Sequence, residues 1–214
     1  MLGVYVTVPI ACFRKGLARE YLETEPLPPP ATCYGFLLAL VGETDRRTHI
    51  GVRVCPIMLS KPETSVVLRT VWRVKKTPLG SPGNTRPDYQ QLLSPVQLLL
   101  WIDSAVETAP TPLEDRVRSA LDRPASITRF GGLSLGESSH LVDEVSRFER
   151  DDPRFASVPA RGQAFLLADR GRLSLPVWVD HVGSAGTRFA VGDLTDWPAN
   201  LPPENVRMPM ISPD

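Results

Sequence analysis

The sequence predicts an α+β fold: a ferredoxin-like (RRM-like) βαββαβ domain with an inserted basic β-hairpin, followed by a small C-terminal β subdomain. Three observations lead there. Apolar residues switch twice between alternating and helical spacing within the first 148 residues. Positive charge is concentrated in the middle of the chain. Composition then changes after Glu149-Arg150-Asp151-Asp152-Pro153, which divides the chain into residues 1–150 and 151–214, with the insertion at about 60–95.

The first strand is Gly3 to Val8, alternating and β-branched, stopped by Pro9. A polar stretch from Arg14 to Glu25 leads into Pro26-Leu27-Pro28-Pro29-Pro30. Thr32 is placed to cap a helix from Cys33 to Val41, closed by Gly42. That helix is apolar on most sides, so it belongs against a sheet. His49 to Leu59 alternates again, with Ile50, Val52 and Val54 on one face. Val66 to Lys76 reads as a third strand. It turns Val66, Leu68, Thr70, Trp72 and Val74 to one side and the half-cationic set Val67, Arg69, Val71, Arg73 and Lys75 to the other. Thr77 to Tyr89 is rich in proline and glycine and reads as a loop.

Pro95 to Asp103 is a buried strand. Thr111-Pro112-Leu113-Glu114 is a capping-box pattern that starts a second helix. A glycine-rich loop, Arg129 to His140, precedes a strand from Leu141 to Phe148. Three short strands, Gln163–Ala168, Leu173–Val179 and Thr187–Val191, follow the boundary. The proline-rich tail from Pro198 is expected to strap over a surface.

With 24 basic and 24 acidic residues the chain has no net charge. Between Asp45 and Tyr89, however, nine basic residues meet three acidic ones, a local +6. Such a face suits an anionic partner, although a solvated hairpin carries the same composition. Cys12, Cys33 and Cys55 are few and scattered, which fits thiols in a reducing cytoplasm and no structural zinc. The apolar start lacks a basic n-region and contains Pro9, so neither a signal peptide nor a membrane span is expected.

No Walker loop, HExxH or GxGxxG is present. His49, His140 and His181 are isolated from one another in sequence, as hydrogen-bonded structural histidines usually are. A metal-free RNA-cleaving site built from Tyr34, His49 and Lys61 stays open as an alternative. The binding reading has more residues behind it. Single-stranded RNA is held by cationic grooves and aromatic platforms. The middle segment supplies Lys61, Arg69, Trp72, Arg73, Lys75 and Lys76, with burial of Trp72 as its other reading. Arg14, Lys15 and Arg19 form a second cluster. Gly131, Gly132 and Gly136 bare the backbone beside Ser134, Ser138, Ser139 and His140, a phosphate cradle or else a tight turn needing positive φ.

The opening VYVTVPIACFRKGLAREYLETEPLPPPATCYGFLLALVGE, together with GGLSLGESSH, resembles the two signatures of the CRISPR-associated Cas-five family. Within it the chain looks most like the Myxan-type members of type I systems. The resemblance implies a non-catalytic subunit that caps the 5′ handle of the crRNA in the Cascade complex, without cofactor. It also implies contact with the backbone subunit and the large subunit, target DNA being met only indirectly, and with no membrane or small-molecule substrate. The inserted hairpin would be the family's thumb. Phe13, Arg14, Thr32, Tyr34, Gly132, Gly136, Ser138 and Ser139 would lie near the handle. An adjacent Lys-His pair marks the guide-cutting branch, and none occurs here. Glu137 stands where relatives commonly carry a basic residue.

Overall fold

A computed structural model describes residues 1–16, 18, 20–72, 75, 78–182 and 184–214. Among these, ten strands and two α-helices are present. In chain order they are β1 (Leu2–Val8), β2 (Tyr21–Leu22), α1 (Pro30–Leu40), β3 (Arg53–Met58), β4 (Glu63–Trp72), β5 (Thr85–Ser94), β6 (Val96–Asp103), α2 (Leu113–Asp122), β7 (Glu144–Arg147), β8 (Arg161–Leu167), β9 (Leu173–Trp178) and β10 (Arg188–Pro198). Seven strands form one antiparallel sheet ordered β7-β1-β6-β3-β8-β10-β9; β2, β5 and β4 form a second sheet. The result is a mixed α/β chain built on a large antiparallel sheet. No described helix is long and apolar enough to cross a membrane.

Alternation decides which face of the large sheet each side chain joins. Leu2, Val4, Val6 and Val8 of β1 share one core with Leu98, Leu100 and Ile102 of β6 and with both helices. Tyr5 of β1, Leu99 and Trp101 of β6 and Ile57 of β3 turn to the other face, where Phe155, Ala199 and Met208 from the C-terminal half cover them. Both faces of the centre are therefore buried, and β6 reads as a continuous apolar run for that reason. In α1, Cys33, Phe36, Leu37, Leu38 and Leu40 are all buried, each of the large ones contributing about 1.5–3 kcal/mol of apolar transfer.

Several expectations change in detail. α1 begins at Pro30 with Pro29 as its N-cap, so Thr32 lies inside the helix rather than capping it; Pro30 fits the first turn because it has no N–H to satisfy. The Thr111–Glu114 capping box does not form either. Pro112 is the N-cap, and the free amides of α2 are met from a distance: Leu113 N–H donates to Glu107 Oε2 at 3.0 Å, and Glu114 N–H to Ser104 Oγ at 3.2 Å. The segment expected as a loop up to Tyr89 enters β5 at Thr85. The polar stretch after Arg14 contains β2, which pairs in parallel with β5.

The strands after residue 151 run on into the large sheet through the pairing of Ile57 and Met58 with Ala164 and Gln163. The tail also joins it. Ile211 N–H donates to Val52 O and Gly51 N–H to Ile211 O, both at 2.9 Å, so residues 209–211 lie along the start of β3.

Candidate nucleic-acid interface

The hairpin β4–β5 stands off the large sheet, and its register, from Glu63↔Ser94 to Trp72↔Thr85, sets two unlike faces. Residues directly opposite in a ladder point the same way. Arg69 with Asp88, Val67 with Gln90 and Val71 with Arg86 make the inward face, on which Asp88 and Gln90 are buried. Leu68 with Tyr89, Val66 with Gln91 and Trp72 with Thr85 make the outward face. Trp72 is 61% exposed. Of its two readings, burial is removed, because the face it shares with Val66 and Leu68 meets no core. Tyr21 of β2 joins that face beside Tyr89, their ring centroids 6.5 Å apart.

The inward face meets the glycine-rich loop. Arg69 Nη1 lies 3.3 Å from Glu137 Oε2, while Arg69 Nε is buried with no hydrogen-bond partner among the described residues. One residue before Glu137, Gly136 has φ +99°, and a Cβ there would stand 2.6 Å from the carbonyl oxygen of Cys12. This is a place where the chain requires glycine. His140 closes the same turn. Its Nδ1 accepts from Cys12 N–H at 3.2 Å and from Glu137 N–H at 3.3 Å, so the ring carries its proton on Nε2. Burial, against the opposing charge of Glu137, holds its pKa below the usual histidine value.

Cys12 belongs to the strap between β1 and α1 that carries the first basic cluster. Phe13 is 1% exposed and packs in the core, so its side chain does not face a ligand. Arg14 is exposed and donates to Ala18 O at 2.7 Å; Lys15 lies 3.8 Å from Glu23. Lys61 and Lys75 are exposed on the hairpin. Arg19, Arg73 and Lys76 lie outside the described residues. Gly131 (φ +77°) and Gly132 are exposed or partly so, as are Ser138 and Ser139.

On the other side of the loop, Ser134 and Gly136 form one wall of a cleft of about 350 Å³, with Thr32 and Tyr34 of α1 opposite. The lower wall comes from the end of β9 and the residues after it: Val177, Trp178 and His181. Arg46 crosses the cleft. Its guanidinium lies 3.8 Å over the Trp178 ring and donates to Val179 O, and its own carbonyl accepts from Tyr34 Oη–H at 2.8 Å. Burial pushes the Tyr34 phenol well above its ordinary pKa, which keeps it a donor. Sequence reading missed Arg46, Trp178 and His181. Arg46 was visible as part of the cationic segment, but nothing local links it to a strand more than 130 positions away.

The alternative site of Tyr34, His49 and Lys61 does not come together. His49 is fully buried, with Nδ1 on Glu107 and Nε2 2.9 Å from Arg116 Nη1, so neither ring nitrogen is open to a substrate. Lys61 sits exposed at the foot of the hairpin.

Comparison with known proteins gives the same direction. No protein-family model matches the sequence. The chain is 50% identical over 214 residues to "CRISPR-associated protein Cas5" of Myxococcus xanthus (strain DK1622), covering 99% of this chain and 97% of that one. Among solved structures, a chain of a CRISPR RNA-guided surveillance complex superposes with a TM-score of 0.60 at 15% identity, covering 92% of this chain and 89% of the other. A second structure, described as a Cas protein, gives 0.51 at 17% identity over 96% and 98%. At those identities the two structures speak for the fold.

Proposed function

The chain belongs to the CRISPR-associated Cas5 family, and from that premise we propose that it is a non-catalytic subunit of a type I Cascade effector complex, gripping and capping the 5′ handle of the crRNA. The carrying observation is one of convergence. The strap bearing Arg14, the cationic face of the hairpin and the α1 cleft all meet at a single glycine-rich turn, through Cys12, Arg69 and Gly136 respectively. A single strand laid along that turn would find a cation and bare backbone there, with the exposed aromatic face on the other side of the hairpin.

On this reading β1, α1, β3, β6, α2 and β7 form the ferredoxin-like unit. Its four strands lie in the order β7-β1-β6-β3, and the β4–β5 hairpin is its thumb. The backbone and large subunits would dock around the hairpin and loop, and the protein would work in the cytoplasm, where Cys12, Cys33 and Cys55 remain buried thiols.

The experiment is direct. Purified full-length protein is titrated with repeat-derived RNA in EDTA, and both binding and RNA integrity are followed. Handle-containing RNA is expected to bind at least ten-fold more tightly than a scrambled strand and to stay intact. Defined cleavage products would make the protein an endoribonuclease that processes precursor RNA. Equal binding of both strands would remove the capping role.

A further inference from the structure

Arg46 is unusual among the arginines of this chain in how it is held. The indole of Trp178 supports one face of its guanidinium, Val179 O takes a hydrogen bond from its edge, and Tyr34 fixes its main chain. Among the described residues no carboxylate lies within ion-pair distance of it, although Arg69, Arg86, Arg116 and Arg161 each have one. Trp178 is buried, whereas Arg46 is half-exposed and lines the cleft. A planar cation is therefore stacked on Trp178 and partly exposed to the cleft. A cation–π contact with one side desolvated is energetically substantial.

The rest of the cleft narrows the ligand. Its walls are mostly apolar, with side chains such as Leu38 and Val177, and besides Arg46 the polar side chains are few: the Thr32 and Ser134 hydroxyls, the His181 imidazole and the Tyr34 hydroxyl, which already donates to Arg46 O. A phosphate needs a ring of donors, which apolar walls do not supply. A flat heterocycle with polar edges suits such a site, because its faces bury apolar area and its edges need only a few hydrogen bonds. The volume is in the range of a small-ligand site.

We propose that this cleft receives one unstacked nucleobase of a single-stranded RNA, laid on the exposed part of the Arg46 guanidinium, with Thr32, Ser134 and His181 at its edges. The inference rests on the RNA-capping reading and deepens it, because the cleft and the hairpin share the turn at Gly136 and Glu137. A strand held by the hairpin would drop one base over the far side of that turn. Arginine planes are a common base platform in single-strand recognition. Lysine has the charge but not the plane.

The test places 4-thiouridine at successive positions of a repeat-derived RNA, irradiates its complex with the full chain, and maps the crosslinked peptides. One position is expected to crosslink to the peptide containing Trp178 and His181, and Arg46→Ala should lower that yield about ten-fold, in line with the loss of one stacked base. Arg46→Lys should lower it nearly as far while leaving the hairpin crosslinks unchanged, which separates loss of the platform from misfolding. Wild-type crosslinking in Arg46→Lys would overturn the proposal. So would hairpin crosslinks with none at the cleft at any position, and that result would leave the capping reading standing. Absence of crosslinks everywhere would remove both. If free 4-thiouridine monophosphate labels the cleft as efficiently as the RNA, the occupant is a nucleotide and not a strand, and the proposal fails.

Discussion

Arg69 of the hairpin and Glu137 of the glycine-rich turn form an ion pair at 3.3 Å, so the hairpin sets a guanidinium directly against the turn. Both side chains are partly exposed, and such a pair contributes only about 0–1 kcal/mol to stability. Its removal should therefore show in binding more than in folding. Arg69→Ala should weaken RNA binding and lower the salt slope by about 0.7 for each phosphate no longer neutralised. Glu137→Gln should free the guanidinium and tighten binding a few-fold at low salt. Fluorescence anisotropy titrations across salt concentrations measure both.

Trp72 offers the complementary test. Because the residue is 61% exposed, Trp72→Ala should change unfolding free energy by no more than about 0.5 kcal/mol. If the outward face stacks on a base, affinity for single-stranded RNA should fall roughly ten-fold or more. Urea denaturation beside anisotropy separates the two. A loss of stability without a loss of binding would assign the residue to the fold alone.

Gly136 and Gly131 share a positive φ but differ in surroundings. Gly136→Ala adds the strain of that φ to a clash with the Cys12 carbonyl and should cost more than about 2 kcal/mol, detaching the loop from the strap. Gly131→Ala meets open space and should cost only about 1–2 kcal/mol from backbone conformation. Denaturant midpoints of the two variants, measured together, check the ordering.

Glu107 holds the buried end of α2 and the His49 ring at once. Burial opposes its ionisation, but hydrogen bonds from His49, Ser104 and Leu113 N–H outweigh that and keep its pKa below the usual glutamate value. A lowered carboxylate pKa gives stability that is present above the unfolded-state value and is lost as pH falls through the folded one. Glu107→Gln should therefore cost about 2–4 kcal/mol at neutral pH. The gap from the parent protein should close as the medium becomes acidic. Melting temperatures followed from neutral pH down into the acid range read this out.

His140 acts with the opposite group chemistry. Its neutral ring accepts two amide hydrogen bonds at Nδ1, which a protonated ring cannot do. Because its folded pKa lies below the ordinary histidine value, the unfolded chain binds the proton first. Stability should thus fall as pH drops below about 6.5 and level off beneath the folded pKa. His140→Ala leaves the buried Cys12 amide unmet, at about 1–3 kcal/mol, and frees the part-buried Glu137 amide, and it should flatten the pH dependence on either side of that value. RNA affinity followed over the same range tests whether the turn must stay tied to Cys12 to bind.

Much of this protein is legible from its residues in order. Alternation in Leu2–Val8 and Val96–Asp103 and the apolar run of Pro30–Leu40 state strand, strand and helix, because periods of two and 3.6 are local properties of the backbone. The basic middle segment and the two signature stretches, VYVTVP through YGFLLALVGE and GGLSLGESSH, identified the family. Alternation also separated the two faces of β4 correctly. It could not say which of them would meet the rest of the molecule. Trp72 shares a face with Val66 and Leu68, yet that face is open.

The tertiary structure alone decided such matters. It brought Arg46 onto Trp178, set Glu107 rather than Thr111 at the start of α2, and joined the last three strands to β3. The reason is physical. A side chain's direction relative to its own backbone is written within a few residues, but the group that covers it comes from sheet order and register. Those are settled by burial and hydrogen bonding over the whole chain, among residues far apart in sequence.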